Sequence, residues 1–230
     1  MSTPLQLSAR KAIIYPESDG QPMADNTRQF EWITTIKCGL DAQYRDDPNV
    51  FVAGDLFWYP VEGDPGTRTA PDVMVVFGRP KGHRGSYMQW LEGGITPQVV
   101  FEILSPGNRP HEMIRKFRFY DRYGVEEYYT FDPDHIELAG WLREHGQLQE
   151  MPNVVGWTSP RLGVRFELES EELRILGPDG RPFETYLQLV ERAEHERQRA
   201  EHERQRAEQE QKRAERWAAQ LRALGVEPEQ

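Results

Sequence analysis

Apolar residues follow three patterns along this chain, and each predicts a different kind of element. From Thr27 to Leu40 they recur at helical spacing: Phe30, Ile33 and Lys37 lie on one side, Trp32, Ile36 and Leu40 lie near it, and Gly39 marks the helix end. Val50–Tyr59 is rich in β-branched and aromatic residues and reads as a strand. Thr69–Phe77 is a second strand, apolar on both faces in its latter half, and Pro97–Leu104 is a third that ends at Ser105-Pro106-Gly107-Asn108. Between them residues 79–94 form a polar excursion holding a short helix at Tyr87–Leu91. A helix over Pro110–Tyr123 is capped by Gly124. Strands follow at Glu126–Asp132, Ile136–Arg143, Leu148–Met151, Val164–Leu168 and Leu173–Leu176, and helix dominates from Phe183 onward. Strand, helix and strand over residues 97–132 make a βαβ-like unit, so the fold class is α/β with a mixed sheet.

The third pattern is a heptad. Ala193, Ala200, Ala207, Ala214 and Leu221 stand seven apart, and the seven residues from His195 recur from His202. Glu194/Arg197, Glu196/Arg199, Glu201/Arg204, Glu203/Arg206 and Glu210/Arg213 are i,i+3 pairs, each worth about 0.2–0.5 kcal/mol. The other seam position holds Glu196, Glu203 and Glu210 before Trp217 and Leu224, and glutamate there is poor for a coiled coil. A solvated single helix is favoured over a dimer zipper, with Trp217, Leu221 and Leu224 forming a small apolar end available to another protein; residues 226–230 fray. The chain then divides into an arm over residues 1–20, a domain over 21–190 and a charged helical tail over 191–230.

Composition sharpens this division. The tail from Glu191 carries ten acids and nine bases, so nearly all of the formal charge of −10 falls on the body. That balance argues against a nucleic-acid coat protein, whose surface must neutralise phosphates, but is compatible with a nuclease built on metal-binding carboxylates. A single cysteine, Cys38, excludes a disulfide framework and a cysteine-rich zinc site. No apolar run is long enough for a membrane helix, and the N-terminus lacks the pattern of a secretory signal, so a cytoplasmic setting is the default.

Two acids stand where acids are costly. Asp72 follows Pro71 within the buried-looking strand Thr69–Phe77, and Glu102 interrupts Val99-Val100-Phe101-Glu102-Ile103-Leu104. A carboxylate in such a strand must be paired or bound to a cation. Two that converge make a hard-oxygen site suited to Mg²⁺ or Mn²⁺, which polarises a phosphodiester and acidifies a bound water. The following helix carries Arg109, Arg115, Lys116, Arg118 and Arg122 against Glu112 and Asp121. Arg115, Arg118 and Arg122 form one outward face. Lys116 instead neighbours Met113 and Tyr120 among core-facing residues, where a lysine needs a negative partner. Arg79, Lys81, His83 and Arg84 make a short basic loop that offers a further contact to DNA. There is no Walker loop, dinucleotide fingerprint or nucleophile elbow.

Pro71-Asp72, Glu102 through Arg109, Lys116 with Tyr120, Gly124 through Tyr129 and Asp132-Pro133 together resemble the Uma-type family of proposed endonucleases, formerly a domain of unknown function. The resemblance covers about residues 20–190. It implies the restriction-endonuclease-like fold of the PD-(D/E)XK superfamily: a mixed central sheet flanked by helices, here followed by the long charged helix. It also implies Mg²⁺- or Mn²⁺-dependent hydrolysis of DNA, with Asp72 and Glu102 as metal ligands. The superfamily places a lysine two residues after the second acid. Leu104 occupies that position, and the resemblance points to Lys116 as the displaced lysine. Glu31 on the first helix, with Gln29 beside it, or Asp55 is the candidate additional acid. Arg109, Arg115, Arg118 and Arg84 are the candidate nucleic-acid contacts, and a homodimer is compatible with this reading. The alternative function is a non-catalytic nucleic-acid-binding or regulatory module that keeps the nuclease fold.

Overall fold

Five consecutive residues with no exposed side chain, Val99–Ile103 (β5), set the centre of the molecule. The computed structural model describes residues 13–18, 20, 23–169 and 172–223. A strand buried on both faces needs partners on both edges and cover above and below, and β5 has all four. Val50–Gly54 (β1), Val73–Phe77 (β3), β5, Glu127–Asp132 (β6), Glu137–Glu144 (β7) and Gln147–Glu150 (β8) form a six-stranded sheet in the order β1-β3-β5-β6-β7-β8. Within this sheet only β5 and β6 pair parallel. Their connection is the helix Pro110–Tyr123 (α2), which starts with Pro at its first turn and ends on left-handed Gly124.

Alternation along the strands sorts the core into two layers. Val73, Val75, Val99, Phe101, Ile103, Tyr129 and Phe131 pack with the helix Thr27–Gln43 (α1) and the hairpin Arg165–Glu169 (β9) and Glu172–Leu176 (β10). Met74, Val76, Val100 and Tyr128 face Tyr120 of α2 and the two-residue parallel strands Trp58–Tyr59 (β2) and Tyr87–Met88 (β4). The chain divides after Phe183; the remainder is the helix Tyr186–Ala223 (α3), none of whose side chains is buried.

Several elements differ from the sequence reading, each for a physical reason. Val50–Tyr59 is two strands in different sheets, because Asp55 takes a left-handed φ of 47° and turns the chain. Strand β3 begins at Val73 rather than Thr69, which makes only an isolated bridge to Trp58. The short helix expected at Tyr87–Leu91 is strand β4 followed by a 3₁₀ turn over Gln89–Glu92. On α1 the buried stripe is Gln29, Ile33, Ile36 and Leu40, while Phe30 is exposed. The described part of the N-terminal arm is anchored: the Tyr15 hydroxyl accepts from Gly63 N at 2.6 Å, and Tyr59 donates to Pro16 O at 2.5 Å. Of the tail's five i,i+3 pairs, Glu194/Arg197 and Glu201/Arg204 form; Arg192, Arg204 and Arg206 also reach acids four residues on. Leu224 and residues 226–230 lie outside the described residues.

Helix α1 also passes through Gly39 instead of ending there. The Phe183 ring fills the space, so an added Cβ would stand 2.4 Å from it. Glycine inside a helix ordinarily costs about 1 kcal/mol relative to alanine. Here Gly39→Ala is expected to lower the melting temperature, since the clash displaces a packed ring; a calorimetric scan showing a rise would reverse that assignment.

Glu127 opens β6 and is 2% exposed. Its carboxylate accepts from Arg161 N at 2.7 Å, from the Tyr129 hydroxyl at 2.9 Å and from the Ser159 hydroxyl. Those bonds fasten the loop before β9 onto the α1 side of the sheet. Burial drives the Glu127 pKa up, and the three donors hold it back only in part.

Candidate active site

Antiparallel pairing of β3 with β5 sets Val73 opposite Phe101. One step further along the same register places Asp72 beside Glu102. The flanking residues Val73, Phe101 and Ile103 point into the α1 layer, so both acids point to the face that α2 covers. The Ile103 amide donates to Asp72 Oδ2 at 2.6 Å, tying the first acid to the strand that bears the second.

Helix α2 delivers the cation. Its interior stripe carries Phe117 and Tyr120 into the core, and Lys116 emerges at the edge of that stripe. The Lys116 ammonium lies 2.6 Å from Glu102 Oε2 and donates to Ala70 O at 3.3 Å. One helical turn on, the Tyr120 hydroxyl donates to Glu102 Oε1. Glu102 is thus fully buried with both oxygens engaged.

The electrostatics agree with this crowding. Burial raises the Asp72 pKa well above the usual carboxylate range, and Glu102 and Asp55 raise it further; Lys116 and the Ile103 amide oppose them. Burial works to lower Lys116, but Glu102, Asp72 and Asp55 outweigh it, and the ammonium stands raised. Without a cation beside it, Asp72 is therefore biased toward its protonated form.

The remaining sequence candidates separate. Asp55 contributes to the field at Asp72 and Lys116, and its amide donates to Pro71 O at 3.1 Å and Asp72 O at 3.3 Å. Glu31 is exposed, with no interaction with Asp72, Glu102 or Lys116 among the described residues. Gln29 takes the inward position instead, donating to Ile103 O at 2.7 Å. Arg84 pairs with Glu92 at 2.6 Å and covers the Phe51 ring, while Arg79 pairs with the same Glu92 and Lys81 donates to Tyr44 O. Arg109, Arg115 and Arg118 are exposed and make no ion pair among the described residues, in contrast to Arg28, Arg143 and Arg161. The sequence reading did not assign Tyr120 a contact with Glu102, although its four-residue spacing from Lys116 is the signal that could have found it; Gln29 carried no comparable signal.

Among the described residues no three His, Cys, Asp or Glu side chains are grouped tightly enough to enclose a metal ion. The donor chemistry nevertheless fits a hard divalent cation. Mg²⁺ is commonly held by one or two carboxylates, its other positions going to water and phosphate oxygens. Asp72 and Glu102 stand side by side on neighbouring strands as such a pair of oxygen donors. No described helix is long and apolar enough to cross a membrane.

Among solved structures, a chain from Anabaena variabilis described as "a putative nuclease belonging to DUF820" aligns at 14% identity and a TM-score of 0.44, covering 63% of this chain and 79% of its own. No curated protein matches. Residues 18–174 match the Uma2 family, described as "Putative restriction endonuclease", and with well over half its length matched, the chain belongs to that family.

Proposed function

We propose that this protein is a metal-dependent DNA endonuclease in which Asp72 and Glu102 hold Mg²⁺ or Mn²⁺ and Lys116 serves as the catalytic cation. The observation that carries the reading is a lysine bonded to a buried strand glutamate, with a second acid beside it on the neighbouring strand. When bound, the ion would polarise the phosphodiester and acidify an attacking water. The chain's own groups supply the rest. With its pKa raised, Lys116 stays protonated at neutral pH, so it stabilises charge on the phosphate oxygens rather than acting as a base. Arg109, Arg115 and Arg118, free of carboxylate partners among the described residues, hold the backbone of the strand being cut.

Incubating plasmid with the full chain and Mg²⁺ or Mn²⁺ tests this. Nicking that disappears in Glu102→Ala and after chelation supports it. A folded wild-type protein that cuts with neither ion, or a Glu102→Ala variant that cuts equally well, overturns it and favours a binding module. Arg115→Ala and Arg118→Ala are each expected to flatten the slope of log affinity against log salt by about 0.9 on duplex DNA while sparing cleavage at low salt. An unchanged slope would remove them from the interface.

A further inference from the structure

Glu102 is held from two successive turns of one helix, and the proposed lysine accounts for only one of its oxygens. We infer that Tyr120 is a positioning residue: its hydroxyl fixes the plane of the Glu102 carboxylate for metal binding. This rests on the reading of Asp72 and Glu102 as the metal pair. The last torsion of a glutamate is broad, so a carboxylate gripped at one oxygen swings about that contact. Lys116 grips Oε2, and Tyr120 grips Oε1. Two holds four residues apart on a rigid helix leave one orientation. A carboxylate has about four acceptor sites, so a lone pair on each oxygen stays open to a cation.

Tyr120 is itself locked. It is wholly buried, its ring lies parallel to Trp58 at 6.4 Å, and Phe119 meets it edge-on at 6.0 Å. Trp58 belongs to β2, which pairs with β4 and bridges to Thr69, three residues before Asp72. The small two-stranded sheet therefore holds the ring that holds Glu102, so an apolar layer sets the aim of the proposed metal ligand.

The test is Tyr120→Phe, which keeps the ring and its stacking and removes only the hydroxyl. Tyr87→Phe, in the same apolar layer with its hydroxyl bonded to Ile95 O at 2.7 Å, is the control. Mn²⁺ binding to substrate-free protein is read by electron paramagnetic resonance, and folding by near-ultraviolet circular dichroism. Loss of an outer-shell partner of a metal ligand costs about 10–100-fold in metal affinity or activity. Tyr120→Phe should weaken Mn²⁺ binding in that range and lower kcat with little change in KM for DNA, while Tyr87→Phe binds like wild type. A folded Tyr120→Phe protein within about twofold of wild type in Mn²⁺ affinity would overturn the inference alone. Wild-type protein that neither binds Mn²⁺ nor cleaves would overturn the parent reading and this one with it. Equal weakening in both variants would reassign the effect to general loosening of the core and reject a positioning role.

Discussion

Replacing Lys116 by alanine is expected to reduce cleavage by about 10²–10³-fold, the usual consequence of removing one charge-stabilising donor from an active site. The same change leaves Glu102 buried beside Asp72 with only the Tyr120 hydroxyl to satisfy it. Breaking a fully buried ion pair costs about 3–5 kcal/mol. Lys116 keeps a quarter of its side chain exposed, so we expect about 2–3 kcal/mol. Divalent cation should restore much of that stability without restoring cleavage, because an ion between the acids replaces the missing charge but not the donor. Thermal melts with and without Mn²⁺, set beside a plasmid assay, separate the two effects. Near-normal cleavage by a folded Lys116→Ala protein would reject the displaced-lysine assignment.

The second large effect lies on the opposite face of the sheet. Glu127→Ala strands three donors, the Ser159 and Tyr129 hydroxyls and the Arg161 amide. At about 1 kcal/mol or more for each, the loss is about 3 kcal/mol. That corresponds to a fall of about 6–12 °C in melting temperature for a body of this size. Cleavage per folded molecule should be unchanged. The pH dependence has a definite sign. The folded-state pKa is raised, so this group's contribution is fully present below the ordinary glutamate range and is lost as pH rises through the raised value. The deficit of Glu127→Ala relative to wild type should therefore shrink from mildly acidic toward alkaline pH. A deficit that grows over that interval would contradict the assignment.

Glu102 and Glu127 show where reading the chain alone succeeds and where it stops. Both are acids in apolar strands. The first stood out because Lys116 falls on the core side of the next helix, so a partner could be located by helical spacing alone. Glu127 is answered by Ser159 and Arg161, more than thirty residues away in an irregular loop, and no periodicity announces such a partner. The same distinction holds for the fold. The β5–α2–β6 unit was legible because its signals are local: an apolar run, a proline start and a glycine cap. Division of Val50–Tyr59 was hidden because it depends on one non-glycine residue in a left-handed conformation. Gly39 read as a stop because its tolerance inside α1 is set by Phe183, which is remote in sequence.

The β5–α2–β6 connection has a consequence for assembly. Glu102, Lys116 and Tyr120 fall within residues 102–120, so closing that part of the site spans only a short loop and carries little entropic cost. Asp72 comes from outside this stretch, and it arrives through the β3–β5 ladder. The lysine–glutamate pair can then form as soon as one helix docks on one strand, before the sheet is complete. Until the ladder closes, the half-built corner lacks its second acid. On the proposed reading, competence to hold a divalent ion requires strand pairing as well as the helix that bears the lysine.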